Sequence, residues 1–227
     1  MQPALRLPLF ALLFAILSSC TTAQEKSNLT TLDDRVKTFL DEQQSSWHDM
    51  NIPSRDGQFL YDIIVRNGYT RALEIGTSTG HSAIWIAWAL SKTGGKLITI
   101  EIDEDRYNTA LENFRKAGLA DYIDARLADA HGLVRELKGP LDFVFSDADK
   151  NWYKQYFVDL APKMTVGGCY TTHNISMRGG EFHESTKEYV DYLKSQPNFD
   201  TTVEASRSTG IAISYKKAKE TGELKKQ

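Results

Sequence analysis

The chain has 227 residues, of which 41% are hydrophobic and 25% charged, with a formal net charge of −3 and an isoelectric point near 6.0. That length suits one domain with a core large enough to need no disulfide or metal staple. The charge balance points away from a basic nucleic-acid groove and from a polybasic membrane patch.

Arg6 is the single cation ahead of an apolar run from Leu7 to Leu17. The run is short for a bilayer span and fits the core of a signal peptide. It ends in Leu17-Ser18-Ser19-Cys20, which resembles the bacterial lipobox, in which the cysteine is lipidated and becomes the new N-terminus. Plain secretion with cleavage near Ala23, or an uncleaved anchor, are the other readings. The expectation is a signal peptide over 1–20, a lipid anchor at Cys20, a polar tether over 21–28 and a place on the cell envelope. The alternative is a secreted or periplasmic protein. Cys20 and Cys169 are the two cysteines, so with Cys20 lipidated no structural disulfide is expected.

Leu29 to Met50 carries apolar residues every three or four positions and reads as an amphipathic helix, broken by Asn51-Ile52-Pro53. A second helix follows over Ser54–Val65. Strand-like and helical stretches then alternate. Strand Arg71–Ile75 precedes helix Ser82–Leu90, strand Lys96–Glu101 precedes helix Asp103–Lys116, and strand Tyr122–Leu127 precedes a short helix over Gly132–Leu137. Strand Leu141–Ser146 precedes helix Trp152–Leu160, and strand Gly168–Thr172 precedes helix Glu181–Leu193. Such alternation predicts an α/β fold, a doubly wound, mostly parallel sheet with helices on both faces. Asp200–Ala205 and Gly210–Tyr215 are joined by four residues, too few for a crossover helix, and should close the seven-stranded sheet as an antiparallel hairpin. The domain is expected over 29–216, with a charged, disordered tail over 217–227.

Two stretches carry chemistry. In "ALEIGTSTGHS", Ala72 to Ser82, a strand ends at Gly76 and the next helix opens at Gly80. Gly76 permits a sharp turn, and Gly80 lets a ligand approach a helix N-terminus. Glu101 ends the following strand 21 positions after Gly80, the distance expected of an acid that grips ribose hydroxyls. Ser78 stands where a dinucleotide fingerprint wants its middle glycine. The loop therefore suits a nucleoside ligand without pyrophosphate, or it simply closes a turn. In "FSDADKNWYKQYF", Phe145 to Phe157, a buried strand gives way to Asp147, Asp149 and Lys150. Asp149 reads as a helix-starting carboxylate, whereas lysine at a helix start opposes the dipole and calls for another role. Tyr153 and Phe157 read as the packing face of their helix, and Trp85 and Trp88 as core. His48, His81 and His183 carry no readable role.

Together these residues resemble the class I S-adenosylmethionine-dependent O-methyltransferases of the catechol and caffeoyl-CoA type, a Rossmann-like fold. The resemblance covers roughly Leu29 to Lys216. It rests on Met50-Asn51-Ile52-Pro53 with Gly57, on Leu73-Glu74-Ile75-Gly76 with Gly80 and Ser82, and on Ile100-Glu101-Ile102-Asp103. It rests also on Asp142-Phe143-Val144-Phe145 running into Asp147-Ala148-Asp149-Lys150, and on Gly167-Gly168 followed by Asn174.

The resemblance implies S-adenosylmethionine as methyl donor. Ile52 and Glu74 would lie near its amino-acid end, Gly76 behind it, Ser82 on its carboxylate, Glu101 on its ribose, and Asp129, Ala130 and His131 along the adenine. A glycine usual at position 128 is alanine here. The resemblance also implies a divalent metal on Asp147, which lies near the donor too, and on a further pair at the next strand's tip. Lys150 would be the general base toward a small aromatic acceptor, and the family's members are often homodimers. A hard cation such as Mg²⁺ would stabilise a phenolate, since a free phenol has a pKa of about 10. The metal pair is an adjacent Asp-Asn in the family, but this chain reads His173-Asn174. His173 as a ligand would favour softer ions; as a base, or with no metal present, it would serve a metal-independent methyltransferase with another acceptor. A non-catalytic envelope protein that kept the fold is the reading from a different class. Acceptor residues are expected from 176–183 and 203–209.

Overall fold

The computed structural model describes residues 31–47, 50–175, 177–178, 181–182, 184–205 and 209–218. The expected signal peptide with Cys20, the expected tether, His48, His183 and all but the first two residues of the expected tail fall outside them. Two helices come first, α1 (Leu32–Glu42) and α2 (Ser54–Asn67). Then follow β1 (Arg71–Ile75), α3 (His81–Thr93), β2 (Lys96–Glu101), α4 (Glu104–Ala117), β3 (Ile123–Leu127) and α5 (Ala130–Glu136). The second half adds β4 (Leu141–Ser146), α6 (Tyr153–Leu160), β5 (Met164–Thr172), β6 (Met177–Arg178), β7 (Glu181–Phe182), α7 (Glu184–Lys194), β8 (Phe199–Glu204) and β9 (Ile211–Lys216).

Seven of the strands form one sheet in the order β3-β2-β1-β4-β5-β9-β8. The first five run parallel, and β9 pairs antiparallel with both β5 and β8. This is the expected doubly wound sheet with its closing hairpin. Alternate residues of each strand face opposite sides. Phe143 and Phe145 join one core with Val36, Ile64, Ile84 and Phe114 from α1 to α4. Val144, between them, joins the other with Val134, Tyr156 and Val190 from α5 to α7. Helix α3 is apolar on nearly every face because it lies buried between its neighbours.

Local chemistry sets the element ends. Thr31 and Asp34 form a reciprocal capping box that starts α1. Asp103 caps α4 by accepting from the Arg106 amide, and Gly118 ends it in the left-handed conformation.

Several boundaries differ from expectation, four of them for a readable reason. Helix α1 stops at Glu42 rather than running to Met50, because Gln43 to Ser46 offer no apolar side chain to hold another turn. Helix α5 starts at Ala130, two residues early, because the Asp129 side chain caps it. Strand β5 starts at Met164, with an irregularity between the Leu141 and Phe143 pairings. Helix α7 starts at Glu184, and Glu181–Phe182 pairs instead with Met177–Arg178. Its buried face is Thr186, Tyr189, Val190 and Leu193, so the helical period begins at Thr186.

The chain order reverses direction across the sheet at β1, whose neighbours are β2 and β4. Ligands of open α/β sheets bind beyond the strands' carboxyl ends at such a switch point.

Candidate active site

The strand tips are level. Ile75 pairs with Ile100 and Ser146, and Ser146 with Thr172. One backbone bond continues the sheet beyond each tip. The Gly76 amide donates to the Ile100 carbonyl at 3.0 Å, Asp147 to Ile75 at 2.9 Å, His173 to Ser146 at 3.1 Å, and Ala128 to Glu101 at 2.8 Å. Side chains of these residues are therefore set by the sheet and not by free loops.

A cavity of about 790 Å³ opens above them. Of the residues singled out in the sequence, Gly76, Glu101, Asp129, Ala130, Asp147, Lys150, His173 and Asn174 line it. Ile52, Glu74, Gly80 and Ser82 are buried and are not among the lining residues. The Ile52 carbonyl meets His81 Nδ1 at 2.8 Å. A Cβ on Gly80 would press within 2.6 Å of the Phe114 ring, so this glycine serves helix packing as well as its left-handed turn.

Glu74 is fully buried and receives a hydrogen bond from Thr99 Oγ1 at 2.5 Å. Burial pushes its carboxyl up to about 8, against the pull of hydrogen bonds from Ser82 and Thr99. Glu101 is buried too but held by backbone donors. The Ser78 amide donates to its Oε2 at 2.7 Å, and the Ile102 and Asp103 amides to its Oε1 at 3.0 Å each. Three backbone donors fix a carboxylate that keeps about one acceptor position, on Oε2, for a hydroxyl. At the other wall, Asp129 caps α5 and His131 stacks on Trp152 with ring centroids 3.8 Å apart. His131 Nε2 meets Asp149 Oδ2 at 3.1 Å. Asp149 also starts the short turn Lys150–Trp152, accepting from the Asn151 amide, and lines the cavity as well. Lys150 stands exposed on the rim.

The floor between β4 and β5 is an interlocked set. His173 is 4% exposed, with Nδ1 at 3.1 Å from Asp147 Oδ2 and Nε2 at 3.1 Å from Asp56 Oδ2. Burial alone would push the imidazole down. Hydrogen bonds to Asp147 and Asp56, with their charges, outweigh it and raise the ring to about 9. The Asn174 amide donates to Asp147 Oδ1 at 2.8 Å, and Asn174 Oδ1 accepts from Thr209 Oγ1 at 2.9 Å.

These contacts decide how the expected metal residues stand. Both Asp147 oxygens, both His173 nitrogens and the Asn174 carbonyl oxygen are already engaged with protein groups. As arranged, they do not fit a divalent cation, and among the described residues no three His, Cys, Asp or Glu side chains are set to hold one.

Two site residues escaped the sequence reading. Asp56, on α2, is fully buried, and only tertiary structure brings it to His173. Tyr153 was read as packing. It is buried and lines the cavity, and its hydroxyl bonds to Asn174. Burial pushes that phenol well above the ordinary range. Its nearness to Lys150 in sequence was the signal available. His81, given no role, is neutral. It accepts from Trp85 Nε1 at 3.1 Å, stacks on Trp47, and burial lowers it to about 4.

Comparison with known proteins gives the family. A family profile described as O-methyltransferase matches residues 21–206. Caffeoyl-CoA O-methyltransferase 1 of Eucalyptus globulus is 33% identical over 156 residues, 65% of this chain and 63% of that protein. Catechol O-methyltransferase of Niastella koreensis is 33% identical over 143 residues, 61% of this chain and 64% of that protein. In both, the chain spans a little under two thirds of the relative's length. Among solved structures, the O-methyltransferase from Bacillus cereus in complex with SAH superposes with a TM-score of 0.67 at 23% identity, covering 84% of this chain and 93% of that one.

Proposed function

Because the chain belongs to the O-methyltransferase family, we propose that it moves a methyl group from S-adenosylmethionine to a hydroxyl of a small, catechol-like aromatic. One observation carries the reading: a single cavity has Gly76 and the clamped Glu101 on one wall and Lys150 with Asp147 beside them. Catechol and caffeoyl-CoA methyltransferases among the relatives support the acceptor class.

The residues fit the donor. Glu101 offers a carboxylate with fixed orientation to the ribose, Gly76 leaves bare backbone at the turn, and Asp129, Ala130 and His131 line the end assigned to adenine. Glu74 Oε1 has no hydrogen-bond partner among the described residues, but Glu74 lies beneath the cavity lining and supports the strand tip from below. When bound, the donor would supply a sulfonium methyl: an oxygen lone pair forms the new O–C bond as the S–C bond breaks, and the sulfur leaves as the neutral thioether of S-adenosylhomocysteine. Lys150 receives the hydroxyl proton. For that the lysine must be the free amine, since an ammonium has no lone pair to take a proton. The cavity walls hold the oxygen in line, and positioning supplies most of the acceleration. Tyr153 and Tyr156 give the acceptor ring aromatic surface, and Met50, Pro53 and Thr209 form its rim.

A divalent cation beside Asp147 is the second reading, favoured by Asp147 and Asn174 both standing on the cavity. No step is routed through it, because their ligand atoms are engaged. We also propose a lipid anchor at Cys20 on the envelope, tested by fractionation of Cys20→Ala, and a homodimer, tested by sedimentation.

The reaction is tested by methyl transfer from labelled donor to a panel of catechols and phenols, with the full chain in detergent. Transfer supports the reading. Donor binding without transfer overturns the acceptor class, and neither binding nor transfer supports a non-catalytic envelope protein.

A further inference from the structure

Three residues far apart in the chain meet under the cavity, and their donors and acceptors count out in one way. A carboxylate accepts hydrogen bonds and donates none, whereas a neutral imidazole has one N–H and one bare lone pair. Asp147 Oδ2 lies 3.1 Å from one His173 nitrogen and Asp56 Oδ2 lies 3.1 Å from the other. With both carboxyl groups ionised both nitrogens donate, and the ring is a cation held between two anions. Asp56 is fully buried and the His173 side chain is 6% exposed, so water does not substitute for either partner.

We propose that the His173 imidazolium, clamped between Asp56 and Asp147, is the permanent cation of this site and takes the place of a divalent metal. The proposal rests on the methyltransferase reading and specifies its chemistry. The ring has no lone pair left for an ion, the second oxygen of Asp147 is held by Asn174, and the Asn174 carbonyl is held by Thr209. The positive charge that would otherwise arrive with an ion is already present and covalently attached. His173 is thus a positioning residue. It fixes the Asp147 carboxylate at the cavity floor and reduces its charge, and the acceptor oxygen has only Lys150 to answer to. One consequence concerns the substrate. A metal holds two vicinal oxygens, whereas this site has nothing to chelate them. A single hydroxyl suffices, and monohydroxylated aromatics are acceptors on the same footing as catechols.

The test uses the full chain in detergent and Mn²⁺ alone as probe. Electron paramagnetic resonance should find no Mn²⁺ uptake up to about 1 mM. Ring ¹⁵N spectra of histidine-labelled protein should show both His173 nitrogens protonated. Methyl transfer should be unchanged by chelator, with a phenol and its catechol counterpart within about threefold of each other. His173→Asp exchanges the cation for a third carboxylate and should bind Mn²⁺ at least about tenfold more tightly than the parent.

Micromolar Mn²⁺ binding by the parent, a bare ring nitrogen, or loss of transfer on chelation would overturn the proposal. So would a folded His173→Asp protein that takes up no Mn²⁺. If that variant does not fold, the parent measurements decide alone. If no acceptor is methylated while the Mn²⁺ and ¹⁵N results stand, the acceptor reading has failed and the resident cation has not.

Discussion

Gly57 and Trp85 touch so closely that a Cβ built on the glycine would overlap the indole ring. This contact seats α2 against α3 and so lowers Asp56, the neighbouring residue, onto His173. Gly57→Ala must push the two helices apart. Overpacking of this kind costs about 1–3 kcal/mol, read as a lower denaturant midpoint with an unchanged slope.

Asp56 is the partner whose loss should cost most. Asp56→Asn leaves the His173 proton facing an amide in a fully buried place. Removing one member of a buried ion pair costs about 3–5 kcal/mol. Equilibrium unfolding of the variant measures it, and a loss near that of an exposed pair would contradict the geometry.

Lys150 is exposed and holds nothing in place that the core needs. Lys150→Ala should lower kcat by at least about a hundredfold, the range of general base catalysis, and leave donor affinity and stability unchanged. Lys150→Arg should fail to rescue it, because a guanidinium does not release its proton.

Glu74 gives stability a pH dependence with a definite sign. Its folded carboxyl titrates at about 8 against an ordinary value of 4.5. Between those two values the folded chain holds a proton that the unfolded chain has released. Stability from this group therefore falls as pH rises across the window. Glu74→Gln should remove that decline, seen as a flatter plot of unfolding free energy between pH 5 and 8. His81 works in the other direction. Its folded value of about 4 lies below the ordinary 6.5, so its contribution is present above 6.5 and lost as pH falls toward 4.

Gly76 has a φ of 95°, and a Cβ there would stand 2.7 Å from the Asp147 carbonyl. Gly76→Ala should therefore weaken donor binding by at least about tenfold and cost stability together. Calorimetry with S-adenosylhomocysteine gives the first, and a thermal melt the second.

Strands were the most legible elements. Arg71–Ile75, Lys96–Glu101 and Leu141–Ser146 appear with the bounds their apolar runs suggest, because burial on both faces leaves little else such runs can do. Helix starts were less legible, since the capping side chain of Asp129 and the hairpin at Glu181 act locally and leave the apolar period untouched. In the site, residues at strand tips were readable because the tip itself is a signal. Asp56 was not, since a buried carboxylate 117 positions from its partner looks in sequence like any polar residue near a helix start. His173 was noticed as a departure, but its meaning needed both neighbours in view.

The extra backbone bond beyond each strand tip divides the protein into parts that tolerate change and parts that do not. Gly76, Asp147 and His173 inherit the spacing of the sheet, so altering them disturbs architecture and chemistry at once. Met50, Pro53 and Thr209 border the same cavity without belonging to the sheet. A library aimed at new acceptors belongs at Met50 and Pro53, where variation is directly felt by whatever enters, and not at Thr209, which also holds the Asn174 carbonyl oxygen.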